Sequence, residues 1–131
     1  MNTHIQNTIN EAADGSSTGR LHFGQVIALL AQAGVESYHA DYRAGRTTYY
    51  LPDGSTHEVN LGPALADIAP DFDAAAIQAA IRGAQQGRVM YPEFKKLSQA
   101  GGCVGYIVWI TGRHVTYFGR KGETHVEKFP D

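Results

Sequence analysis

Few positions in the chain combine side-chain type and spacing in a way that suits chemistry. From Ser37 to Arg43 the residues alternate strictly, so an extended chain would put Tyr38, Ala40 and Tyr42 on one face and His39, Asp41 and Arg43 on the other. An imidazole, a carboxylate and a guanidinium two residues apart would bind an anion, orient a general base or give a metal two ligands. The same alternation also describes a charged sheet face turned to water. His57 and His125 form a second group, each following a threonine. Repeated imidazoles brought together in a shared cleft would make a site, and Glu123 and Glu127 lie on the strand face of His125. The plainer alternative packs each ring against a tyrosine across its hairpin. A two-residue loop would set His125 opposite Thr116, and a three-residue bulged loop would set it opposite Tyr117.

Cys103 is the single cysteine, which excludes an intrachain disulfide and any CxxC metal pair. It follows Gly101-Gly102 at an expected helix C-terminus, whose dipole raises a thiol pKa, so a buried structural thiol is expected. No third or fourth metal ligand falls at a defined spacing, and GxxxxGK[ST], GxSxG and HExxH patterns are absent. Gly101 to Gly105 lacks the strand-before, helix-after setting of a dinucleotide loop. No catalytic residue, metal or cofactor is assigned on these grounds. His39, Asp41, Arg43, His57 and His125 are the candidate ligand-binding residues.

The elements that must position these residues come in two copies. At an offset of 68, Ile9 falls on Ile77, Ala12 on Ala80, Gly15 on Gly83, Gly19-Arg20 on Gly87-Arg88 and Leu29 on Leu97. A one-residue shift aligns Gln32-Ala33-Gly34 with Gln99-Ala100-Gly101 and Gly45-Arg46 with Gly112-Arg113, and the offset of 68 returns for Gly54 and for Thr56-His57. The copies cover roughly residues 5–61 and 73–129, with a linker at about 62–72.

Each copy reads helix, helix, strand, strand, strand. Thr3 and Gln6 have capping-box spacing for the first helix, and apolar residues from Val26 to Ala33 define the second, which stops at Gly34. In the other copy Asp71 and Asp73 are N-cap candidates, Pro92 suits a first helical position, and Gly101 is expected to be the left-handed terminator. Strands are expected at 35–43, 47–51 and 55–61, and again at 103–111, 114–118 and 123–129. Tyr106 to Ile110 is apolar on both faces, which suits a strand covered from both sides. Hairpins join neighbours, so the fold class is α+β, with two pseudo-symmetric repeats, an antiparallel sheet packed against helices and one shared core.

The length of 131 residues, with 43% hydrophobic and 18% charged residues and a net charge of -2, fits one globular domain and excludes two full-sized ones. Residues 1–86 carry four basic and nine acidic side chains, and 87–131 carry seven basic and four acidic ones. Lys95, Lys96, Arg113, Arg120 and Lys121 are too dispersed for the dense basic stripe of a nucleic-acid binder. The longest apolar run, from Val104 to Ile110, has strand length, so no membrane span is expected. The first residues lack a basic flank and an apolar stretch, which argues against a secretory signal and, with the lone cysteine, for a cytoplasmic setting.

The segments Ala100 to Tyr106, Gly112 to Arg120 and His125 to Pro130 resemble the C-terminal signature of a small bacterial family of unknown function labelled phage envelope protein-like, or YdfO-like. Ala33 to Tyr38, Asp41 to Arg43 and Thr48 to Tyr50 resemble it as well, so the resemblance covers nearly the whole chain. It implies a small cytoplasmic bacterial protein, sometimes carried on prophages, with no catalytic residues to transfer. Three functions follow as expectations. The first is a binding or interaction module that forms a homo-oligomer, a homodimer above all, through exposed edge strands. The second is a small-ligand protein or enzyme with a cleft between the copies that uses His39, Asp41 and Arg43, with His125 as a further candidate. The third is a phage structural protein.

Overall fold

The computed structural model describes residues 1–130. The first copy folds as α1 (Thr3–Ser17), α2 (Phe23–Gln32), β1 (Ser37–Asp41), β2 (Arg46–Tyr50) and β3 (Thr56–Asn60). The second repeats it as α3 (Ala74–Gln85), α4 (Tyr91–Ala100), β4 (Cys103–Trp109), β5 (His114–Gly119) and β6 (Thr124–Lys128). All six strands join one antiparallel sheet in the order β3-β2-β1-β4-β5-β6, so the two hairpin sets are continuous rather than separate.

The seam between the copies is the β1–β4 pair, in which Ser37 faces Trp109, His39 faces Ile107 and Asp41 faces Gly105. Since Ile107 is the offset-68 counterpart of His39, the pseudo-twofold axis runs through that pair. The other pairings exchange when the copies are exchanged.

Helices cover one face of this sheet. Ile9 from α1, Leu30 from α2, Ile77 from α3 and Val108 from β4 are completely buried in a core built by both copies. Burial of each such side chain contributes roughly 1.5–3 kcal/mol. The expectation that β4 is covered from both sides is corrected here: Ile107 is half-buried and Trp109 is 38% exposed, because the second face carries no helix. The apolar run there reflects cross-strand packing on an open face.

The helix ends also refine the expectations. Asn2, not Thr3, caps α1, its side-chain oxygen accepting from the Ile5 amide at 2.9 Å, because Thr3 already has helical conformation. His22 caps α2 through its ring nitrogen, which accepts from the Gln25 amide, and the His22 amide donates to the Gln25 side-chain oxygen at 3.0 Å. Asp73 caps α3 at the Ala76 amide, at 3.0 Å. In α4 Tyr91 takes the first helical position, with Pro92 next to it.

Gly34 ends α2 in the left-handed region at φ +90°, and its partner is Gly102 at φ +88° rather than Gly101, which has φ −85°. Gly102 also lies so close to the Asp71 carbonyl that no Cβ fits. Likewise the partner of Gly45, at φ +72°, is Arg113, at φ +60°. The offset is therefore 68 at these turns too, and the apparent one-residue shift came from aligning neighbouring glycines.

The linker is held by the second copy. Lys95 is buried on α4 and its ammonium donates to the carbonyls of Leu61 and Pro63 at 3.1 and 2.8 Å. Gln99 accepts from the Ala66 amide at 3.1 Å, and Arg120 donates to the Ile68 carbonyl at 3.0 Å.

Candidate functional site

The strand registers order the helix-covered face into two rows. One runs His57, Tyr49, Tyr38, Val108, Val115, Glu127, and the other runs Val59, Thr47, Ala40, Tyr106, Tyr117, His125. Tyr38 and Tyr106 are counterparts in the repeat, as are Tyr49 and Tyr117. They stand beside the pseudo-axis as pairs because one-face alternation repeats with the copies. The rings pack on one another, with 5.1 Å between the centres of Tyr38 and Tyr49 and 5.6 Å between those of Tyr106 and Tyr117.

Two clefts open between these rings and the helices. The first, about 270 Å³, lies between the copies: Leu21, Phe23 and Val26 of the first face Ile81, Val115 and Tyr117 of the second. The other, about 280 Å³, is its counterpart across the axis, with Ala13, Ser17, Thr47 and Tyr49 where the first has Ile81, Gln85, Val115 and Tyr117. Nearly equal volumes therefore carry different walls, mainly apolar in the first and richer in hydroxyl groups in the second. Tyr38, Tyr91 and Tyr106 line both, together with Ser16 and Val26, so the clefts meet around these residues.

Burial holds every phenol of the cluster in its neutral form. It pushes the pKa of Tyr91 up to about 12 and raises those of Tyr38, Tyr49, Tyr106 and Tyr117 as well, chiefly by desolvation. These groups therefore donate and accept hydrogen bonds without carrying charge. The hydroxyl of Tyr42 bonds Ser98 at 2.8 Å. That of Tyr91 is buried with no partner among the described residues; Tyr42 and Tyr106 approach it closely enough to favour its ionised form, but neither reaches hydrogen-bond geometry.

Glu127 reaches the first cleft from β6 and is tied to Arg82 of α3 at 2.8 Å. Its other oxygen lies 3.4 Å from Nε2 of His125, without the alignment of a hydrogen bond. The carboxylate thus stands at the cleft wall with its charge partly answered.

The residues singled out from sequence are dispersed. His39 lies on the uncovered face, opposite Thr48 and Ile107. Asp41 spends its carboxylate on the following turn, accepting from the amides of Arg43 and Ala44 at 3.0 Å each, which leaves Arg43 exposed in that turn and outside the strand. His57 bonds the Asn10 side chain at 2.9 Å on the covered face, opposite Tyr49. His125 faces Tyr117 with 6.3 Å between ring centres, the register of the longer hairpin loop. His39 and His125 therefore lie on opposite faces of the sheet, and His57 and His125 at its opposite edges. Cys103 is fully buried, donates to the Gly105 carbonyl at 3.2 Å and has its thiol pKa pushed up to about 11 by burial. Among the described residues no three His, Cys, Asp or Glu side chains are grouped so as to hold a metal ion.

Sequence reasoning passed over the tyrosines. Their signal was present in the recurrence of Tyr38 at Tyr106 and of Tyr49 at Tyr117, but a repeated tyrosine on an apolar face reads first as core.

Fold and site together define a duplicated α+β protein with a phenol-lined cleft between its halves. The chain belongs to a family described as protein of unknown function (DUF1398), whose model matches residues 15–127. It is 34% identical over 118 residues to the uncharacterized protein Rv2012 of Mycobacterium tuberculosis and to the uncharacterized protein Mb2035 of Mycobacterium bovis. Each match takes in 82% of this chain and 66% of the relative, so the chain spans just under two thirds of the length of these curated relatives. Neither the family description nor these names mention a phage or an envelope, so that label rests on the resemblance alone.

Proposed function

We propose that the protein binds a small, largely apolar organic molecule in the first cleft. The observation that carries this reading is the cleft itself: about 270 Å³ between the copies, walled by apolar side chains with a few polar groups among them. That is close to the lower end of ordinary small-molecule sites, roughly 300–1,000 Å³. A reducing cytoplasm suits such a protein, whose free thiol at Cys103 is buried. Calorimetric titration with isopropenylnaphthalene tests the reading. Binding is expected in the natural chain and its loss in Ala84→Trp, which fills the cleft, with the circular dichroism spectrum unchanged. Equal binding by a folded Ala84→Trp protein would exclude this cleft.

A second reading has its own observation. The continuous sheet ends at β3 and β6, and Val126 on β6 is 55% exposed, an apolar side chain on an unpaired edge. Pairing of β6 with β6 of a second copy would give a homodimer and cover Val126. Sedimentation at rising concentration should show a dimer that Val126→Lys abolishes; a monomer throughout counts against it. A prophage origin and a virion role add nothing to either reading.

A further inference from the structure

The two clefts invite comparison because the repeat makes each the control for the other. Phe23 and Tyr91 are counterparts, the first helical residues of α2 and α4. Phe23 starts its helix without a hydroxyl, so helix initiation at this position does not require one. At Tyr91 the hydroxyl is buried without a hydrogen-bond partner among the described residues, which leaves its loss of water uncompensated. The oxygen stands where the apolar cleft meets the hydroxyl-rich one, beside Tyr106, which also lines both. Among the described residues no cation belongs to this junction of Tyr38, Tyr91 and Tyr106, and on the first cleft's wall Glu127, tied to Arg82 at 2.8 Å, is balanced by Lys128, so nothing there calls for a charged ligand.

We propose that Tyr91 and Tyr106 form a polar anchor that selects a neutral amphipathic ligand, its apolar body in the first cleft and a carbonyl-type oxygen at the junction. This inference rests on the proposed binding function and gives the ligand its class. The ligand oxygen accepts from the Tyr106 hydroxyl, whose own oxygen is then free to accept from Tyr91. Both phenols remain protonated because burial raises their pKa values, so both are donors at every physiological pH. The chain of two hydrogen bonds settles the orphaned hydroxyl and strengthens each member.

Acetylnaphthalene and isopropenylnaphthalene, planar molecules that differ in C=O against C=CH2, form the test by calorimetric titration. The natural chain should bind the ketone up to about tenfold more tightly, the upper end for one neutral hydrogen bond. Tyr106→Phe, which removes the donor to the ligand, should bring the two affinities close to equal, and Tyr91→Phe, which installs the residue of the first copy and removes the second bond of the chain, should reduce the preference; neither should weaken isopropenylnaphthalene. Tyr50→Phe, on the open sheet face, should keep the preference. Equal affinities in the natural chain, or a preference that survives both substitutions, overturn the anchor but leave the cleft reading intact. Failure of both compounds to bind the natural chain overturns the cleft reading, and the anchor with it.

Discussion

Phe23 and Phe129 meet edge to face, with ring centres 5.7 Å apart and planes at 82°, and both line the first cleft. One ring comes from the start of α2 and the other follows β6, so the contact ties the first copy to the second across the cleft. The Arg113 guanidinium lies 5.6 Å from the Phe129 ring centre and donates to the Pro130 carbonyl at 3.3 Å, which holds the segment from its other side.

Phe129→Ala should therefore speed the release of acetylnaphthalene, and should lower stability by the aromatic-pair contribution of about 0.5–1.5 kcal/mol together with that of the apolar area the ring covers. Stopped-flow displacement measures the release. An unchanged rate would mean that this pair does not gate the cleft.

The matched glycines separate backbone strain from lack of space. Gly34→Ala meets no atom within 4 Å and carries only the left-handed penalty, about 1–2 kcal/mol. Gly102→Ala carries that penalty and also drives its Cβ into the Asp71 carbonyl, so it should cost clearly more. Urea denaturation of the two variants compares them; equal losses would show that the Asp71 segment yields freely.

Tyr42 and Ser98 should respond unequally. Ser98→Ala leaves the Tyr42 hydroxyl buried without its partner and should cost about 1–3 kcal/mol. Tyr42→Phe should cost less, because the Ser98 hydroxyl retains its bond to the Lys95 carbonyl at 3.1 Å. Denaturant midpoints for both variants and the double mutant decide this, and a larger loss in Tyr42→Phe would contradict it.

Alkali should destabilise the fold before the native thiol ionises. The pKa of Cys103 stands at about 11 in the folded chain against an ordinary 9.0, so between these values the unfolded state binds fewer protons and stability falls as pH rises. At two units, the thiol alone accounts for about 3 kcal/mol, fully lost above pH 11. Equilibrium unfolding measured in that window, compared with Cys103→Ala, isolates the contribution. A natural chain with no steeper decline than the variant would argue against burial of the thiol.

Much of the architecture was legible because alternation and turn glycines are local properties. Strands such as β2, expected at 47–51 and found at Arg46–Tyr50, and the repeat of helix, helix and three strands can be read residue by residue. The register at His125 could not be, since it depends on loop geometry, and the correct counterpart of Gly45 was hidden because Arg113 adopts a conformation usually left to glycine. The clefts were less legible still. Their walls come from Phe23, Ile81 and Tyr117, residues far apart in the chain that only helix packing across the seam assembles. His39 and Asp41 drew attention by residue type, yet one faces solvent from the open sheet and the other caps a turn.

The axis through His39 and Ile107 has a consequence for specialisation. Through β1 and β4 each copy offers the other the strand edge that an identical copy would offer, so the molecule is in effect a dimer whose subunits are joined by residues 62–72. An untethered dimer of identical halves must present two equal cavities, and any substitution alters both. Joining them in one chain lifts that constraint, and Tyr91 opposite Phe23, or Val115 opposite Thr47, shows how one cavity can turn oily while its twin turns polar.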